Sequence, residues 1–94
     1  MKFKKEFLKY LIVDANDHAE LIKNTILETN SYIEVHEIIF RFNDKFYKST
    51  YNISITNSLL LEPYSGKNDD IECIEVEPVE QIITIYKPAN NTER

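Results

Sequence analysis

Apolar and charged side chains fall on opposite sides of a helix in the first thirteen residues. Phe3, Phe7, Tyr10 and Leu11 recur at helical spacing, and lysines with one glutamate fill the other side. This pattern predicts a short amphipathic helix. The alternative interpretation of residues 9–13 is an edge strand.

Residues 18–29 show a second pattern of helical spacing. Asp17 and Glu20 are spaced as in a capping box, and Asn30 suits the left-handed conformation that ends many helices. The apolar stripe of this predicted helix consists of Leu21, Ile22, Ile26 and Leu27. We therefore predict one or two N-terminal helices within residues 1–30.

Residues 32–55 are rich in β-branched and aromatic side chains and predict a β-hairpin with its turn at Asn43-Asp44. One apolar parity comprises His36, Ile38, Phe40 and Phe42 before the turn and Tyr47, Ser49, Tyr51, Ile53 and Ile55 after it. Only an even loop length puts both sets on one face, so we expect a loop of two or four residues. The other face is polar apart from Ile39 and Phe46.

Residues 56–70 are predicted to form a long connection, with Leu59, Leu60 and Leu61 under the sheet. After this connection, residues 71–86 again have the composition of β-strands. Pro78 has no backbone donor and is expected to mark an edge position, a bulge or a turn that divides residues 71–86 into two strands. Residues 31–87 are thus predicted to be β-rich, and 88–94 form a polar tail. The fold class we expect is α+β: one domain over 1–94, with the helices on a three- to four-stranded antiparallel meander.

Composition supports a folded domain and excludes some functions. Apolar residues make up 43% of the chain, enough for a core, whereas a single glycine excludes a glycine-rich phosphate loop. The net charge of −5 disfavours direct binding of nucleic acid. The single cysteine, the absence of a compact basic head before a long apolar run and the lack of a membrane span indicate a cytoplasmic protein without membrane contact.

Few residues suggest chemistry. His36 is expected to be a hydrogen-bonded structural residue, His18 a solvated one and Cys73 part of the core. No metal-ligand spacing, nucleophile motif or cofactor motif is recognisable, which predicts a protein that is not an enzyme and holds no cofactor.

Charge is distributed unevenly. Residues 1–9 carry a net charge of +3, and residues 62–80 carry −6. We predict a protein-binding face made of Glu62, Tyr64, Asp69, Asp70, Glu72, Glu75, Glu77 and Glu80, with Glu75 and Glu77 on one face of a strand and Tyr64 and Tyr86 as flanking aromatic rings. Such a face suits a basic partner; the alternative is a solvated edge that prevents aggregation.

The chain resembles the small accessory proteins of phages and mobile elements of low-GC bacteria, a group that includes anti-CRISPR inhibitors. The resemblance lies in its short length, its nine Asn, thirteen Ile and nine Lys, and the acidic segment 71–80. It implies a phage-encoded inhibitor that binds a nucleic-acid-handling or defence enzyme in the host cytoplasm. The alternative function is a small structural protein that forms a homodimer or larger homo-oligomer through an exposed strand or through Ile39 and Phe46.

Overall fold

The computed structural model of the chain describes residues 1–55 and 61–89. Its elements in chain order are β1 (Lys2–Lys4), α1 (Lys5–Ile12), β2 (Glu20–Thr29), β3 (Ile33–Phe42), β4 (Lys45–Ser54), β5 (Asp70–Glu72) and β6 (Ile74–Val76). The strands form an antiparallel four-stranded sheet in the order β2-β3-β4-β6 and a two-stranded sheet of β1 and β5. The predicted α+β class is confirmed, with one N-terminal helix.

The hairpin of β3 and β4 has a two-residue loop, one of the two even lengths that the sequence pattern predicts. Phe42 lies opposite Lys45 and Phe40 opposite Tyr47. Asn43 and Asp44 both have positive φ, 51° and 63°, as a type I′ turn requires. Asn and Asp tolerate this conformation because their short polar side chains interact with the nearby backbone.

The predicted second helix over 18–29 is wrong, because β2 occupies Glu20–Thr29 and pairs with β3. The register shifts twice, between Leu21 and Lys23 and between Ile26 and Glu28. Each bulge adds one residue and interrupts the two-residue alternation of a strand. The apolar residues of β2 consequently lie four to five positions apart, close to the periodicity of an amphipathic helix.

The first helix begins later than its apolar pattern predicts. Phe3 belongs to β1 and lies opposite Ile71 of β5, so α1 starts at Lys5. The helix then continues to Ile12, and residues 9–13 do not form the alternative edge strand. Leu8 and Leu11 are its buried side chains.

The division of residues 71–86 into two strands at Pro78 is also wrong. The break between β5 and β6 falls at Cys73, and β6 ends at Val76. Residues 77–89 have no helix, strand or turn; we call them the C-terminal arm. Leu59, Leu60 and the tail from residue 90 onward lie outside the described residues, whereas Leu61 is half-buried.

The core lies on the face of the sheet that α1 and β1 cover. Its buried residues come from every layer: Phe3, Leu8, Leu11, Ile38, Phe40, Tyr47, Ser49, Tyr51, Tyr64 and Cys73. The opposite face keeps Ile39 and Phe46 half-buried, and β6 adds Val76 opposite Phe46. In the described part of the chain the one helix, α1, has eight residues, far fewer than a membrane crossing requires.

Candidate protein-binding surface

Pairing of β1 with β5 brings the basic start of the chain against the acidic segment. Lys2 lies opposite Glu72, and Lys4 lies opposite Asp70. The Lys4 ammonium is 2.8 Å from Oδ1 of Asp70. In Lys2–Lys4 and in Asp70–Glu72, an apolar residue lies between two charged ones, and the charges of the two strands are opposite. This complementary pattern is the sequence signal that could have predicted the pairing.

The pKa values of these groups reflect the pairing. The hydrogen bond and the positive charge of Lys4 lower the pKa of Asp70, and the same hydrogen bond raises the pKa of Lys4. The amino group of Met1, 2.7 Å from Oε2 of Glu72, lowers the pKa of that carboxyl. Asp70 and Glu72 are therefore already engaged within the chain, and their charges are less available to a partner.

Tyr64 does not belong to the surface, in contrast to its predicted binding role. Its side chain is 2% exposed, and its hydroxyl lies 2.8 Å from Oγ of Ser49. The ring also packs at 5.7 Å from that of Tyr51. Burial raises the pKa of the Tyr64 hydroxyl well above its ordinary value, so the group stays protonated and joins the 61–69 connection to β4.

We expect Tyr64→Phe to lower the free energy of unfolding by about 1–2 kcal/mol, because the buried Ser49 hydroxyl loses its partner. The double variant Tyr64→Phe with Ser49→Ala should recover part of that loss, since neither buried hydroxyl then remains unpaired. Urea titration followed by circular dichroism measures both effects. A loss of unfolding free energy in the double variant that equals or exceeds the sum of the two single losses would contradict this pairing.

Cys73 and His36 have the structural positions predicted for them. Cys73 is fully buried, and burial raises the pKa of its thiol. A protonated, inaccessible thiol is a poor nucleophile. His36 is hydrogen-bonded to Glu34 at 3.0 Å and to Asn24 at 2.9 Å, and its ring stacks on Tyr51.

The remaining predicted carboxylates are exposed but do not form one regular strand face. Glu75 lies in β6 opposite Tyr47, whereas Glu77 and Glu80 follow the end of that strand. Glu62 and Asp69 are exposed in the connection that precedes β5. Among residues 1–55 and 61–89, none of these five carboxylates forms an ion pair.

Large apolar side chains adjoin Glu77 and Glu80 on the C-terminal arm. Val79, Ile82, Ile83 and Ile85 are all exposed, and Tyr86 is 94% exposed. Tyr86 therefore lies on the surface, as the sequence predicts. Carboxylates beside exposed aliphatic and aromatic groups form a surface suited to protein association, because charge steers a partner and apolar contact holds it.

No group of three or more metal-ligating side chains occurs among the residues that the structure describes. Comparison of the chain with protein-family models, with curated proteins and with solved structures finds no match. The functional interpretation therefore depends on the surface itself.

Proposed function

We propose that this chain is a small binding protein without enzymatic activity, which docks on a basic protein surface through Glu75, Glu77 and Glu80. The observation that supports it is that these three carboxylates are exposed and form no ion pair within the described residues. Asp70 and Glu72, by contrast, already have partners. Glu62 and Asp69 are also exposed and form no ion pair among the described residues, but they lie in the connection before β5. The proposed surface is therefore the continuous C-terminal part of the acidic segment.

The partner class that fits this surface best is an enzyme that handles nucleic acid. Such an enzyme has a basic groove, and carboxylates spaced along an extended segment can occupy the positions of backbone phosphates. The resemblance to small phage accessory proteins favours the same partner and implies inhibition by occupancy of the groove. The protein would then act in the host cytoplasm, where such enzymes and their substrates meet.

We expect the double variant Glu75→Lys with Glu77→Lys to associate more slowly with its partner, because long-range attraction accelerates encounter. The partner is first isolated from host lysate on immobilised wild-type protein, and association is then followed by surface plasmon resonance at several salt concentrations. The wild-type association rate should fall as salt rises, since the screening length is about 8 Å at physiological ionic strength.

The matched control reverses two exposed acids outside the surface, Glu6→Lys and Asp17→Lys, which produces the same change in net charge. Its association rate should stay much closer to that of the wild type. If the two double variants slow association equally, net charge alone matters and the docking surface is wrong. An unchanged rate and salt dependence in the Glu75 and Glu77 variant would also refute the proposal.

A further inference from the structure

The C-terminal arm contains residues typical of a β-strand, but among the described residues it pairs with no other strand. Ile82, Ile83, Thr84, Ile85 and Tyr86 are β-branched or aromatic, the types that favour a pleated sheet. Within the described residues, no backbone hydrogen bond joins the arm to the rest of the chain. Exposed aliphatic and aromatic groups in such a segment favour association with an unpaired strand edge.

The arm lies away from its own core. The chain extends 62 Å along its longest axis, and its radius of gyration is 18.1 Å. A compact domain of this length has a radius of gyration of roughly 12 Å. The neighbouring edge strand, β6, has only three residues and runs directly into the arm, so it is too short to pair with a strand of five or six residues.

The opposite edge of the sheet has the required length. β2 contains ten residues and, within the described chain, pairs only with β3. Its side chains Ile22, Ile26 and Leu27 are each about half exposed, at 47%, 52% and 53%. Long edge strands with exposed aliphatic groups are uncommon in isolated proteins because they recruit other strands.

We propose that the arm of one copy, through residues 81–86, adds as a fifth strand to β2 of a second copy, and that the exchange is reciprocal. A second copy is the occupant because the same chain carries both the unpaired strand and the unpaired edge. Pairing of two arms alone would form only a two-stranded ribbon, which is marginal in water, whereas addition to β2 extends a four-stranded sheet.

The link between β6 and the pairing segment sets how close the two copies must lie. Residues 77–80 join Val76 to residue 81, a span of roughly 16 Å at about 3.3 Å per residue. The exchange therefore requires β2 of the second copy to lie within this span of β6 in the first. Residues 81–86 carry no formal charge, so two copies meet there without repulsion. Two identical exchanges related by a two-fold axis close the assembly at a dimer.

Sedimentation velocity of the full chain, from low micromolar to submillimolar concentration, tests the proposal. We expect a monomer–dimer equilibrium in the wild type and loss of the dimer in Ile83→Pro, because proline removes a strand donor. Ile83 is exposed and outside the core, so this variant should keep the wild-type unfolding midpoint at low protein concentration, where both proteins are monomeric. The control Ala89→Pro, beyond the pairing residues, should dimerise like the wild type.

Hydrogen exchange at high protein concentration identifies the contact. Amides of 82–86 and of β2 should become protected together with dimerisation, and both should lose this protection in Ile83→Pro. A monomer at every concentration, or a dimer whose 82–86 amides exchange freely, would overturn the proposal. Protected arm amides in a monomer would mean that the arm folds back on its own chain, and would overturn it as well. None of these results depends on the basic partner.

Discussion

Replacing Phe40 with alanine should lower the free energy of unfolding by about 3–5 kcal/mol, the range for an aromatic side chain lost from a packed core. Phe40 is fully buried. Its ring meets that of Phe3 edge-on at 5.0 Å and lies 5.7 Å from that of Tyr47. The substitution therefore opens a cavity between β1 and the sheet. Denaturant titration of the purified variant measures the loss.

Phe46→Ala is the matched control, because it removes the same ring from the opposite face of the same hairpin. Phe46 is half-buried and lies opposite Arg41 and Val76. Its loss should cost about 1–2 kcal/mol, since less apolar surface returns to water. Equal losses for Phe40→Ala and Phe46→Ala would mean that the core is not confined to the face covered by α1.

Phe3→Ala should cost about 3–5 kcal/mol as well, although Phe3 lies in a strand of only three residues. Its ring contacts four others: Phe7, Phe40, Phe42 and Tyr47, all with centroids between 5.0 and 5.3 Å away. This side chain is thus the main attachment of the two-stranded sheet to the core. Urea titration gives the global loss, and hydrogen exchange at Ile71 reports the release of β5.

The double variant Phe3→Ala with Phe40→Ala tests whether the two rings act together. Contacting residues are not additive, so the combined loss should fall short of the sum by about 0.5–1.5 kcal/mol, the coupling typical of an aromatic pair. Phe3→Ala paired with Ile39→Ala on the opposite face should be additive. Strict additivity for Phe3 and Phe40 would contradict the edge-on contact.

The predicted hairpin was confirmed because its determinants are local. Alternation on both sides of Asn43-Asp44 requires an even loop, and those two residue types accept the positive φ of a tight turn. Neighbouring residues alone thus limit the loop to an even length, and the pairing of Phe42 with Lys45 selects two residues rather than four. The α+β class followed from the same local contrast between the N-terminal residues and the β-rich remainder.

The identity of β2 was not predictable from local pattern. Two bulges near Ile22 and Leu27 displace its apolar positions, and bulges exist only relative to the partner strand β3. The position of Phe3 was missed for a related reason. Helical spacing with Phe7 is real, but pairing with β5, about seventy residues away, decides that Phe3 is extended.

The acidic segment, too, was predictable only in part from the sequence. Counting charges identified the segment 62–80, and exposure of Glu75, Glu77 and Glu80 agrees with a surface role. Only the tertiary structure shows that Asp70 forms an ion pair with Lys4 and that Tyr64 is buried with its hydroxyl on Ser49. The sequence gives the number and order of the charges, but whether a carboxylate is neutralised by a lysine depends on which strands pair.

Local pattern was enough to predict the β3–β4 turn and its shared apolar face, the amphipathic character of α1 and the core position of Cys73, because short-range geometry and burial preference govern these features. Contacts between distant parts of the chain settle that β2 is a strand, that β1 pairs with β5 and that the C-terminal arm has no strand partner among the described residues. Ile82 to Tyr86 have the composition of a strand, yet a strand also needs an edge within reach, and only the spatial order of the sheet shows where such an edge lies.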